Sequence, residues 1–413
     1  MPMKPFFNVQ SVDKVHALAQ DTGPLPPEEV PVTRAAGRSL AADFTAPHDL
    51  PGFARSVMDG YAVRGRDTFG AGETSPGYLE LVGEVAMGRA PEFSLGPGQC
   101  ARIGTGGMLP PGADAVMMVE YTRLLGDASV EICKSLAPGA NMLGPTDDAA
   151  AGQTLLPAGH LLRPQDMGLL AALGFEGVSV IRRPRVGIIS TGDEVVPIAE
   201  TPGPGQVRDV NTYTLAAQVE QAGGEAVILG LAPDSEEELT ALTARSLDEC
   251  DLTLLSGGSS VGVRDLTASI FLSFPEARLL VHGVSVSPGK PFIWVQCSQG
   301  HLLGLPGQVA SCMVTFHLFA EPVMERMLGR PARAFTRFGR LPARLSRNLP
   351  SANGREEYVR VRVKAVEGGW LAEPIFGKSG LLTTLIQGDG LVRVPLHAEG
   401  LDKDEPVTVL LFP

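Results

Sequence analysis

The stretch from Leu252 to Asp265, LTLLSGGSSVGVRD, is where chemistry could be organised. A wholly apolar run turns through Gly257, Gly258, Ser259 and Ser260, then ends on an acid before another apolar periodic segment. That order predicts a buried parallel strand, a tight loop at its carboxyl end and a helix capped by Asp265. Backbone N–H groups in such a loop converge with no side chain in the way, which suits an anion. The loop lacks the Lys of a GxxxxGK[ST] motif, which argues against an NTPase. Taken alone, it also reads as an ordinary strand-to-helix turn. A second polar turn, with Thr191, Asp193 and Glu194, follows the apolar run of VGIISTGDE. Ligands of a parallel sheet bind outside the carboxyl ends of its strands, so Glu194, Ser259 and Asp265 are expected on one edge.

The elements that must position these residues are readable from pattern. Ser11 to Ala19 has helical spacing of Val12, Val15, Leu18 and Ala19, and a second short helix is expected over Thr33 to Ala41. From Pro47 to about Pro138 glycines and short β-type runs prevail, such as Tyr78 to Val82 and Ala115 to Val119. Two loops there stand out, SVMDGYAV with Asp59 and RIGTGGMLPPGAD with Thr105. Asn141 to Gly159 is loop-rich and holds Asp147 and Asp148; Pro164 to Gly174 reads as a helix.

From Arg185 to about Gly329 strands and helices alternate: a helix capped by Asn211, a strand over Val227 to Leu231, and a helix opened by a Ser235–Glu238 capping box. The last helix of this region carries Val309, Cys312, Met313, Phe316, Phe319 and Val323. The tail returns to β pattern in REEYVRVRVKAV, LVRVP and VTVLLF. The expected fold is therefore α/β multidomain, with a central doubly wound α/β domain at 183–330. Around it come a small mixed N-terminal domain (1–46 with 139–182), a β-rich inserted domain (47–138) and a C-terminal β domain (331–413).

With 413 residues, the chain suits about three domains of ~150 residues each. A net charge of −12 argues against nucleic acid as a partner. It also obliges any polyanionic substrate to find local cations or a metal. The five cysteines include no CxxC pair, which fits a reducing cytoplasm rather than a disulfide framework or zinc site. No signal-peptide core or membrane-length apolar run is present, so a soluble cytoplasmic protein with no membrane partner is expected.

Six motifs occur in order: LPGF–x–x–SxMDGYAVR, RIxTGxxLPxGADAVxM, STGDE, SGGxSVGxxD, PGKPF and GLPG. Over essentially the whole chain this series resembles the molybdopterin molybdenumtransferase family, which includes MoeA and the gephyrin E domain. The resemblance implies an elongated four-domain homodimer. It also implies a Mg²⁺-dependent reaction of adenylylated molybdopterin with molybdate or tungstate, releasing AMP, and an upstream molybdopterin adenylyltransferase as a further partner.

It places the family's functional acids at Asp59, Asp148, Glu194 and Asp265, with Glu194 and Asp265 as metal ligands, and Lys290 as the catalytic cation. Mg²⁺ is a hard ion that uses one or two carboxylates plus phosphate. Lys290 would meet molybdate or phosphate as a point charge. Substrate contacts implied by the resemblance are Thr105, Thr191, Asp193, Asp234, Gly257, Gly258, Ser259, Ser260 and Pro291. Ser311, Arg355 and Ser379 resemble the oxyanion pocket.

The chain departs from the family pattern in places. Phe53–Ala54–Arg55–Ser56 stands for FDxS, and Leu143 stands for an arginine after Asn141–Met142. Ser287 replaces the first lysine of KPGKP, and Gln308–Val309–Ala310 replaces Asn-Pro-Val after GLPG. Two lost cations leave room for altered metal preference or reduced activity. The rival readings are a pterin-binding scaffold that has lost turnover and a pterin adenylyltransferase.

Overall fold

The computed structural model describes residues 9–257 and 261–413, the side chains of 261–265 excepted. Its centre is a six-stranded sheet. In spatial order the strands are Glu225–Ala232, Arg185–Thr191, Leu252–Ser256, Gly300–Leu305, Ile293–Cys297 and Arg278–His282. The first four run parallel, and Ile293–Cys297 runs antiparallel to both its neighbours, Gly300–Leu305 and Arg278–His282. Apolar residues of both parities are buried, because both faces of the sheet are covered. Ile188 and Leu254 face one core with Leu215, Val219, Phe316 and Phe319, whereas Ile189 and Leu255 face another with Leu239, Leu247, Ile270 and Phe271. Helices Asn211–Ala222 and Val309–Thr315 pack on the first side, and Glu236–Glu249 and Val261–Leu272 on the second.

Phe292, Trp294, Phe316 and Phe319 have no more than 1% exposure. Each such ring contributes on the order of 2–3 kcal/mol. Phe292 and Phe319 also stack at 4.6 Å.

The Arg185–Thr191 strand lies between its two parallel neighbours, so the chain winds first one way and then the other from it. Such a switch point opens a crevice at the strand ends. Thr191 and Ser256 end the two strands that flank it.

Three local expectations are corrected. The helix after the SGGSS loop begins at Val261, so Asp265 is its fifth residue and not its cap. The nest residues Gly258, Ser259 and Ser260 lie outside the described residues. The helix at Asn211 is capped by Asp209, whose Oδ1 accepts from the N–H of Thr212, because Val210 and Asn211 already hold the first turn. No helix spans Thr33 to Ala41; a 3₁₀ turn at Val32–Arg34 is broken at Gly37 (φ +79°), and Ser39 and Leu40 instead bridge to Leu161 and Val180.

The helix Val12–Gln20 buries Val12, Val15 and Ala19 in the α/β core rather than beside 139–182. Strand Pro27–Pro31 pairs with Gly177–Ile181, and Phe44–Thr45 with Thr154–Leu156. Residues 60–132 form another six-stranded sheet with a core on each face, one around Tyr61, Val63 and Met117, the other around Ala62, Ile103 and Val116.

The tail closes on itself. Strand Glu356–Val366 pairs with both Gly369–Pro374 and Gly390–Val394, and Gly339–Leu345 with Pro406–Leu411 completes the ring. Two ties hold this barrel to the α/β layer. Glu321 accepts from the N–H groups of Phe335 and Thr336 in the connecting segment. Strand Val286–Ser287 of the α/β region joins the barrel, pairing in parallel with Glu356 and Glu357. No described helix is long and apolar enough to cross a membrane.

Candidate functional site

A cleft of about 570 Å³ opens at the switch point, lined by Ser190, Thr191, Glu194, Asp209, Asn211 and Gly257 among others. Its floor is a hydroxyl cluster. Ser190 Oγ lies 3.1 Å from Asp209 Oδ1, 2.9 Å from Thr212 Oγ1 and 3.2 Å from Ser256 Oγ. Beside Thr191 lies a bonded corner in which Thr191 Oγ1 donates to Asp234 Oδ1 at 2.8 Å and Asp234 N–H donates to Asp193 Oδ1 at 3.1 Å. Gly257 has φ +141°, and a Cβ there would stand 2.2 Å from the Thr191 carbonyl oxygen. Only glycine lets these two strand ends meet. Glu194 is exposed at the cleft mouth, a carboxylate open to solvent.

The second cleft, of about 410 Å³, gathers Lys290, Pro291, Ser311, Arg355 and Ser379. These residues come from distant parts of the chain. The pairing of Val286–Ser287 with Glu356–Glu357 brings the PGKP loop beside Arg355. Gly289 (φ +117°) lets that loop press on the Val309–Thr315 helix, where an added Cβ would meet Thr315 Oγ1 at 2.5 Å. Lys290 and Arg355 are exposed, Ser311 is buried, and Arg355 lies 3.6 Å from Glu357. Two cations beside a hydroxyl and a glycine-rich turn can hold a tetrahedral oxyanion. Ser287, in place of a lysine, lines the same wall.

The two clefts meet where the C-terminal loop touches the helix after GLPG. Ser379 Oγ bonds Gln308 Oε1, and Ala310 N–H donates to the Ser379 carbonyl at 3.0 Å. Gln308, Gly380 and Leu382 line the first cleft, while Ser379 lines the second.

Asp59, Thr105 and Asp148 line neither cleft. Asp59 and Thr105 are joined to each other in the inserted sheet: Asp59 Oδ1 accepts from Thr105 N–H at 2.7 Å and Thr105 Oγ1 at 2.8 Å. Those two bonds, the backbone one foremost, hold the Asp59 carboxyl below its ordinary range. Asp148 is exposed on the stem of the insertion, where its N–H donates to the Leu50 carbonyl. Leu143 and Arg55 are direct partners on that stem, so a cation stands across from the position of the missing arginine. The side chain of Asp265 lies outside the described residues.

Asp209 and Arg208 go unnamed in the sequence reading, and Asn211 and Gln308 appear there only as a helix cap and a departure from the motif, yet all four line the first cleft. An acid two residues ahead of a helix's first asparagine, after a proline- and glycine-rich loop, was the available signal for Asp209. Among the described residues, no three potential ligands cluster as a metal site. Glu194 nonetheless offers the single hard carboxylate that a Mg²⁺–phosphate complex requires, and the donor chemistry fits.

The fold and clefts define a multidomain α/β protein with one cleft at the switch-point edge of its sheet and another where that layer meets a β barrel. Residues 10–174 match the family description "MoeA N-terminal region (domain I and II)", 187–326 match "Probable molybdopterin binding domain", and 342–412 match "MoeA C-terminal region (domain IV)". A molybdopterin molybdenumtransferase of Nostoc sp. is 36% identical over 391 residues, 94% of this chain and 89% of the relative. Its namesake in Bacillus subtilis is 32% identical over 380 residues, 91% of this chain and 87% of the relative. Two solved structures of a molybdopterin biosynthesis MoeA protein from Pyrococcus horikoshii superpose with TM-scores of 0.81 and 0.84. They are 37% and 30% identical and cover 98% of this chain and 100% of theirs. The chain belongs to the molybdopterin molybdenumtransferase (MoeA) family.

Proposed function

We propose that this chain is an enzyme of molybdenum cofactor biosynthesis that inserts molybdate or tungstate into adenylylated molybdopterin and releases AMP, using Mg²⁺. Family membership supports the transfer of molybdenum to molybdopterin. The observation that carries the finer reading is the adjacency of two clefts, one lined by hydroxyls and carboxylates together with Arg208, and one holding Lys290 and Arg355. The pterin and its phosphoanhydride suit the first cleft, where Thr191, Asp209 and the Gly257 turn offer polar contacts at the switch point. The oxyanion suits the second, where Lys290 and Arg355 supply local positive charge on a chain of net charge −12.

Glu194, with Asp265 of the Val261–Leu272 helix, would hold Mg²⁺. The bound ion would offset charge on the phosphate oxygens as AMP leaves. Lys290 and Arg355 orient the oxyanion by charge, and Ser311 adds a hydroxyl beside them. Asp59 and Asp148 stand on the inserted domain and its stem, and reach a cleft across a homodimer in this reading. The five cysteines form no disulfide, which suits the cytoplasm.

The test is incubation with adenylylated molybdopterin and molybdate or tungstate while AMP is followed. Release should require both oxyanion and divalent cation. Undiminished release in the presence of chelator would remove the metal from the reading. Release that ignores the oxyanion would point to a hydrolase instead.

A further inference from the structure

We infer that Gln308 is a positioning residue for the oxyanion cleft, acting through Ser379 by latching the C-terminal loop to the α/β layer. The inference rests on the proposed oxyanion role of the Lys290 cleft. The loop that follows the Gly369–Pro374 strand is anchored at two places. Arg360 holds its ends, with Nη2 donating to the Gly377 carbonyl at 2.7 Å and Nη1 donating to Thr384 Oγ1 at 2.6 Å. At its crest, Ser379 is gripped from the other domain by the Gln308 side chain and by Ala310 N–H. The Arg360 anchors lie within the barrel, so they fix the loop's shape and not its place over the clefts. The grip at Ser379 fixes that place.

Gln308 stands at the entry of the Val309–Thr315 helix, but its side chain caps no N–H of that helix. It is exposed at the edge of the first cleft. Its polar end is spent on Ser379 across the domain boundary. An amide is suited to this task because it can present either a carbonyl or an NH₂ group. With Oε1 toward Ser379, as here, the hydroxyl proton is spent on Gln308. With the amide turned over, Nε2 donates to Ser379 Oγ and the hydroxyl proton is released to an anion beside Lys290. Either arrangement keeps the latch, so Ser379 can change from engaged to donating without leaving its place.

The test is tungstate binding by calorimetry, with Mg²⁺ but no pterin, to the wild type, Gln308→Ala, Gln308→Glu, Ser379→Ala and the Gln308→Ala/Ser379→Ala double variant. Gln308→Ala should weaken tungstate about tenfold, the worth of one hydrogen bond at a charged site. Gln308→Glu should weaken it at least as much, because a carboxylate accepts only and holds the Ser379 proton. In the Ser379→Ala background Gln308→Ala should cost nothing further, since its effect passes through Ser379. Hydrogen exchange of 377–386 should quicken in Gln308→Ala. Wild-type affinity in both Gln308 variants, or a full additional loss in the double variant, overturns the positioning role. A wild type that binds no tungstate instead removes the oxyanion reading on which it rests.

Discussion

Thr105 donates twice to one oxygen of Asp59, through its N–H and its hydroxyl, at 2.7 and 2.8 Å. The pair sits on the inserted sheet and is exposed. Both bonds favour the carboxylate, and together they outweigh the small opposing effect of desolvation. Thr105 therefore extends the ionised range of Asp59 toward acid and fixes where its charge points.

Thr105→Val keeps the N–H bond and removes the hydroxyl. The Asp59 pKa should rise part of the way to its ordinary 3.8, read by the pH dependence of its carboxyl carbon in NMR. A folded pKa below the unfolded one contributes stability above the unfolded value and loses it as pH falls through the folded value. Asp59 should thus have no effect on the pH dependence of stability near neutrality, and an effect confined to acid. An unmoved titration in Thr105→Val would show the hydroxyl bond to be idle.

Asp166 gives the sharper acid response. Burial raises its pKa, but hydrogen bonds from the Arg163 side chain, His160 and the Arg163 N–H overcome this and bring it to about 2. Its bonds run from Arg163 N–H at 2.7 Å, His160 Nε2 at 2.8 Å and the Arg163 guanidinium at 3.1 Å. The stability this provides is present above the unfolded pKa of about 3.8 and is lost as pH falls toward 2. Asp166→Asn should cost on the order of 1–3 kcal/mol at neutral pH, because several donors lose a charged acceptor. Denaturant unfolding at pH 7 and pH 3 checks both points: the difference between variant and wild type should shrink at the lower pH.

Much of the central sheet was legible because a strand buried on both faces carries apolar residues of both parities, as Leu252, Leu254 and Leu255 do, and its helices carry the 3.6 period. What was not legible came from long-range pairing. The pairing of Val286 with Glu356 is invisible in local pattern, yet it gathers the second cleft. Asp209 was passed over because its role depends on Ser190 and Ser256, from two strands that become neighbours only in the sheet. An acid after a glycine–serine loop is a common helix start, so the sequence points to Asp265 as a cap. The helix begins four residues earlier.

Lys290 offers a direct test of the second cleft. Lys290→Met keeps the aliphatic stem and removes the charge, and the side chain is exposed, so folding should be unaffected. Tungstate affinity should fall by tenfold or more, because the anion loses a direct charge contact in the cleft. The loss should be smaller at high salt, where screening has already weakened the contact. Equal affinity in the variant would remove Lys290 from the oxyanion site.

The position of Asp59 leads to the last prediction. Glu194 lines the switch-point cleft, whereas Asp59 stands on the inserted sheet and lines neither cleft of its own chain. An insertion need not fold back on its own α/β layer; in a two-fold dimer it can face the partner's. Each site would then draw Asp59 from one chain and Glu194 from the other. Asp59→Asn and Glu194→Gln should each abolish turnover alone. When the two are mixed under conditions that exchange subunits, a mixed dimer has one site with both lesions and one with neither. Random exchange makes about half the dimers mixed, so roughly a quarter of all sites should regain activity. If each site belongs to one chain, every site keeps a lesion and mixing restores nothing. With exchange verified by mass, the absence of recovery refutes the shared site.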